Sequence, residues 1–115
     1  MKYPALIPIS TLVAMGCLLT SFSCAGEPAR EVQIKIENHR FIPSRIEIPA
    51  DAKVKLIIDN LDDSKEEFDS YDLNREAVVK GKSSTSFYIG PLSPGEYEFE
   101  GEFNPKTAQG KVIVK

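Results

Sequence analysis

The sequence has no tryptophan, a single histidine, two methionines and two cysteines. Met1, Met15, Cys17 and Cys24 all fall within the first 24 residues, which leaves His39 as the only nitrogen or sulfur metal ligand beyond them. Residues 26–115 therefore have no disulfide framework, no thiolate metal site and no cysteine nucleophile. One histidine, with no Gly-rich phosphate loop ahead of a helix, gives no hydrolase or transferase signature. Segments with a helical hydrophobic period are missing, as are internal repeats and low-complexity tracts. An excess of positive charge is missing too. Lys2 is the only charged residue of the first 25, so all 17 acidic residues of the later part face all but one of the 14 basic ones. That acidic balance argues against nucleic acid as a partner.

The first 25 residues differ in kind from the rest. Lys2 supplies a positive charge, Ala5 to Thr20 is an apolar run broken by Pro8, and Ser23-Cys24-Ala25 offers the small residues a signal peptidase reads. The run is short for a bilayer span and has no charged stop beyond it. The reading is a signal peptide over 1–25, export to the periplasm and one domain over 26–115. Lipidation is a second processing route, with Cys17 after Ala14-Met-Gly or Cys24 after Ser21-Phe-Ser. It would make the product a lipoprotein tethered to the membrane.

From Val32 onward the dominant pattern has a period of two. Val32, Ile34 and Ile36 alternate with polar residues, Ile46 and Ile48 do the same, and Val54 to Asn60 is the strongest strand, expected at the centre of a sheet. Ala77-Val-Val79, Thr85 to Ile89, Tyr97 to Phe103 and Lys111 to Val114 complete the set. Tyr97, Phe99, Gly101 and Phe103 are expected on a buried face, opposite Glu96, Glu98, Glu100 and Glu102. Asn38 to Pro43 reads as a turn in which Phe41 and Ile42 plug one end of a core. Leu61 to Asp72 reads as a polar loop, and the Gly90 to Gly95 loop is interrupted by prolines that bar regular pairing. Short strands with Gly and Pro between them indicate an all-β fold: an antiparallel Greek-key β-sandwich of about seven to eight strands.

Several segments together resemble a cupredoxin: Phe41-Ile-Pro43, Ile46-Glu-Ile-Pro-Ala50, Val54 to Asn60, Gly90-Pro-Leu-Ser-Pro-Gly-Glu-Tyr-Glu-Phe99 and Gly110 to Val114. Two acidic-aromatic segments, Glu66 to Leu73 and Gly101 to Gly110, narrow the resemblance. They are similar to the small exported cupredoxin-like proteins associated with bacterial iron permeases, and to the cupredoxin domain of EfeO-type iron-uptake lipoproteins. A blue copper site needs two histidines, a cysteine thiolate and a weak axial ligand such as methionine. By the resemblance, Glu67 stands where the first histidine would fall and Gly101 where the cysteine would. Asn104 takes the second histidine's place, and Thr107 or Ala108 the methionine's. Type 1 copper is thus excluded by ligand inventory.

Oxygen donors remain at that end: Glu66, Glu67, Asp69 and Asp72 from one segment, Glu102 and Asn104 from the other. Hard oxygen ligands suit iron, manganese, calcium or magnesium better than cuprous copper. The resemblance implies iron, bound through Glu66, Glu67, Asp69, Glu102 and Asn104 for a membrane iron permease or its periplasmic partners, with oxidation of the ion as a possible accompaniment. The bland alternative is a solvated acidic face on a metal-free sandwich that docks to a membrane partner. A third reading is a copper or zinc carrier using His39 with carboxylates, although a lone histidine in a turn is ordinarily a surface or capping residue. Tyr88 and Tyr97 follow the buried alternation and read as core, which leaves Tyr71 as the one tyrosine near the acidic segment. The Glu96 to Glu102 ladder would either guide cations or keep a strand edge soluble.

Overall fold

A computed structural model describes Lys2, Pro4 and residues 30–115. Apart from Lys2 and Pro4, the expected signal peptide lies outside the described residues, as do its cleavage near Ala25 and both cysteines. Nine strands follow one another: β1 (Arg30–Glu37), β2 (Arg40–Ile42), β3 (Arg45–Ile48), β4 (Val54–Asn60), β5 (Glu66–Ser70), β6 (Arg75–Val79), β7 (Ser84–Ile89), β8 (Gly95–Gly101) and β9 (Gln109–Val114). They form a four-stranded sheet, in the order β2-β1-β4-β7, and a five-stranded sheet, in the order β3-β9-β8-β5-β6. Among the described residues there is no helix.

The layers follow from alternation. β4 buries Val54, Leu56, Ile58 and Asn60 and turns Lys55, Ile57 and Asp59 outward, and it lies between β1 and β7 as its apolar density requires. Ile34, Ile36, Leu56 and Ile58 meet Phe68, Phe99, Val112 and Val114 of the other sheet in one core cluster. Four phenylalanines form its centre. Phe68 stacks on Phe99 at 4.9 Å, and Phe41 meets both rings edge-on at 6.0 and 5.1 Å. Phe87 adds a tilted contact at 5.1 Å.

The β-sandwich is as expected, with nine strands rather than seven or eight. It also mixes directions: β1 pairs with β4, and β3 with β9, in parallel. Side-chain alternation says which face a residue takes but carries no information about the direction of the neighbouring strand. The extra strand, β2, lies within the expected turn. Asn38 and His39 adopt φ of 53° and 58° and make the two-residue connection of a β1–β2 hairpin, with Glu37 opposite Arg40. Phe41 plugs the core as expected, whereas Ile42 faces out. The expected acidic loop likewise contains β5, because its buried face is Glu66, Phe68 and Ser70, a mostly polar row without an apolar period.

Two aromatic placements also change. β8 ends at Gly101, so Phe103 leaves the buried row and is 44% exposed. Tyr88 points outward from β7, where the Lys53 ammonium lies 4.6 Å above its ring, and the adjacent Ile89 takes the buried position.

Candidate ligand pocket and outer carboxylate face

The segments singled out by sequence meet at one end of the five-stranded sheet. β5 pairs with β8 through Phe68 opposite Gly101 and Asp69 opposite Glu100. After Gly101 the chain makes a tight loop that returns to β9. The Gly101 amide donates to the Ala108 carbonyl at 2.8 Å, and the Ala108 amide to the Asn104 carbonyl at 2.9 Å. Thr107 Oγ1 donates to the His39 carbonyl at 2.6 Å, which joins the loop to the β1–β2 hairpin.

Glu66 and Asn104 come together inside this loop. Glu66 is only 2% exposed. Its Oε1 accepts from the Glu67 amide at 2.9 Å and the Phe103 amide at 3.0 Å, and its Oε2 accepts from Asn104 Nδ2 at 2.7 Å. A carboxylate taken out of water is tolerable only when donors replace the lost hydration, and three do so here. Gly101 makes the room. A Cβ there would lie 2.7 Å from Glu66 Cδ and 2.6 Å from the Ala108 Cβ.

Glu67 and Asp69 alternate to the opposite face, and Asp69 lies directly across from Glu76 on β6 and Glu100 on β8. The Glu102 amide donates to the Glu67 carbonyl at 2.9 Å. The Glu67 carboxyl is held above its ordinary range by its contact with the Glu102 carboxyl, reinforced by desolvation and by the charges of Glu102, Glu76 and Asp69. The five expected iron ligands are thus divided, with Glu66 and Asn104 inside and Glu67, Asp69 and Glu102 outside. Among the described residues, no group of three or more histidine, cysteine, aspartate or glutamate side chains is placed to hold one ion.

The remaining candidates have separate places. Asp72 Oδ2 accepts the Glu98 amide at 2.9 Å, which ties the end of β5 to β8. Tyr71 is 97% exposed beside it. A surface groove of about 640 Å³ runs past Tyr71, Asp72, Asp69 and Glu100 to Arg45 and Lys111. His39 is exposed at the hairpin tip, and its Nδ1 lies 3.7 Å from Asp62. Sequence reasoning missed Asp62, whose carboxylate accepts the Asn38 and His39 amides, each at 2.9 Å. These bonds, that from His39 first, hold the Asp62 carboxyl below its ordinary range. The left-handed turn that exposes those amides has no strong sequence signal in Asn-His.

A type 1 copper ion, excluded by ligand inventory, does not fit the surroundings of Glu66 either. The side chain that lies against Gly101 and bonds Asn104 belongs to Glu66, while Glu67, expected at the first histidine's place, takes the opposite face of β5. The convergent set offers one carboxylate, one amide and two residues without donor side chains, where a blue copper site takes two imidazoles and a thiolate.

Comparison with known proteins bears on the framework. The uncharacterized protein RP394 of Rickettsia prowazekii (strain Madrid E) is 48% identical over 84 residues, 73% of this chain and 67% of its own length. Among solved structures, the blue copper protein auracyanin A of Chloroflexus aurantiacus superposes with a TM-score of 0.67 at 12% identity, over 76% of this chain and all of that one. The purple cupredoxin of Nitrosopumilus maritimus gives 0.57 at 21%, over 73% of this chain and 99% of its own. Identities this low show the fold alone. A profile described as a cupredoxin-like domain matches residues 10–114. The chain belongs to the cupredoxin-like domain family.

Proposed function

We propose that this protein is an exported accessory of a bacterial iron-uptake system, holding iron through surface carboxylates and passing it to a membrane permease. The observation that carries this reading is the Glu67–Glu102 carboxyl pair on the face that also bears Asp69, where the hydrogen-bonding contact with Glu102 first, and then desolvation and the neighbouring charges, hold the Glu67 pKa above its ordinary value. Two carboxyls pressed together take up either a proton or a cation, and a hard divalent or trivalent ion is the natural replacement for the proton. Such a site is open and exchangeable, as delivery requires. Binding and hand-over are the role we assign. Oxidation of the ion would need an electron acceptor for which none of the described residues is suited.

The resemblance to permease-associated proteins and to EfeO-type lipoproteins supports iron over manganese or calcium, and the expected export signal supports a periplasmic setting. A second reading, a metal-free docking module for a membrane partner, is favoured by the inner carboxylate, where Glu66 already accepts three hydrogen bonds, one of them from Asn104 Nδ2.

Calorimetric titration with ferrous iron under anoxia, alongside ferric citrate, cupric and manganous ions, separates the two. Saturable one-site iron binding that is lost in Glu67→Gln and Glu102→Gln, with folding unchanged, supports delivery. Only weak, salt-screened heats shared by all the ions would overturn delivery in favour of docking.

A further inference from the structure

The inner carboxylate performs a task of its own, independent of the surface pair. We infer that Glu66 is a built-in substitute for a metal ion, an internal clamp that fixes the 101–108 loop without any ion bound. The three donors that meet its two oxygens come from two separate segments, the Glu67 amide on β5 and the Phe103 amide and Asn104 side chain on the loop. A metal at this point would join the same two segments through coordinate bonds, and Glu66 joins them through hydrogen bonds.

The surroundings are shaped to this one group. Gly101 does not have a positive φ, so its lack of a side chain is not explained by backbone conformation. What it provides is space, because a Cβ would come within 2.9 Å of Glu66 Oε1 as well as striking Cδ and Ala108. Ala108 is fully buried against the same spot. The clamp also sets the exposed edge of the molecule. The Phe103 backbone is held by Glu66 while its ring stands in solvent, with the Lys65 ammonium 5.4 Å from its centre. A loop fixed in advance presents that edge without the ordering cost a mobile loop would pay on contact.

Amide hydrogen exchange of the purified protein tests the clamp, first with chelator and then with cupric, zinc or anoxic ferrous ions. The Phe103 and Glu67 amides should be protected in chelator and change less than about twofold with any of the ions. Glu66→Ala should speed exchange at Phe103 about tenfold or more, since a buried donor loses its acceptor. Should Glu66→Ala fail to fold, Asn104→Ala removes only the Oε2 bond and should speed the same amide several-fold. Glu67→Gln should leave Phe103 protection unchanged, which keeps this outcome separate from that of the surface iron site. Two results would overturn the inference. One is a metal that slows Phe103 exchange about tenfold in the wild type but not in the Glu66 variant, making Glu66 a ligand. The other is Phe103 exchange unaltered in the variants.

Discussion

Glu66 and Glu67 are neighbours on one strand, yet their carboxyl groups meet opposite surroundings. Glu66 turns inward to three N–H donors, and Glu67 turns outward to other carboxyls. The alternation of a strand makes this contrast unavoidable, because adjacent side chains cannot share a face. On the function and the clamp proposed above, holding the loop together falls to the inner side, and attracting cations falls to the outer side. A protein that divides the tasks in this way can lose any ion it carries without losing its shape.

The inner side should be the more fragile. Gly101→Val would drive a side chain into Glu66 and Ala108, and overpacking of this kind costs roughly 1–3 kcal/mol or more. Urea denaturation of the single variant should show that loss. Combined with Glu66→Ala, the cost should be smaller than the sum of the two, since the second change clears part of the space the first needs. Strict additivity would mean that Gly101 and Glu66 do not share one cavity.

Between the two extremes stands Asp62, which is partly exposed and bonded to two backbone amides. Asp62→Ala should cost about 1–2 kcal/mol at neutral pH, the worth of two hydrogen bonds to a charged acceptor at a partly wet site. Its folded pKa lies below the ordinary carboxylate value. The bonds therefore contribute fully above that value and fade as the pH falls through the lowered one. Wild type and variant should converge in thermal stability in strong acid. A gap that stays constant down to that range would show that the carboxylate charge is not what holds the hairpin.

The same contrast shows what could be read from the sequence and what could not. Strands whose buried rows are apolar, such as Val54-Leu56-Ile58 on β4, declare themselves. β5 does not, because Phe68 is the one apolar residue of its inner row, and Glu66 and Ser70 on either side of it are held by hydrogen bonds. Ser70 Oγ, for example, donates to the Glu98 carbonyl at 2.6 Å. The loss of a blue copper site follows from counting ligands, since no cysteine or methionine occurs beyond residue 24. Which of two adjacent glutamates fills the vacated place depends on register, and that is fixed by Phe68 pairing with Gly101. A one-residue shift would exchange their roles. The sequence alone leaves that register open.

The outer side should respond with the opposite sign and the smallest size. Glu67→Gln removes a charge from a row of like charges, so it should leave the fold intact and raise the melting temperature at neutral pH by about 1 °C. The sign follows from linkage. Glu67 has a raised pKa when folded, so the folded state binds more protons than the unfolded state between the ordinary glutamate value and the raised one. Stability is then greatest below that window and falls as the pH rises through it. The gain from Glu67→Gln should accordingly vanish in acid and reach its full size near neutrality. Salt should shrink it, because screened carboxylates repel less. If Glu67→Gln instead lowers the melting temperature at pH 7, the outer pair is a structural contact like Glu66, and the division between the two sides fails.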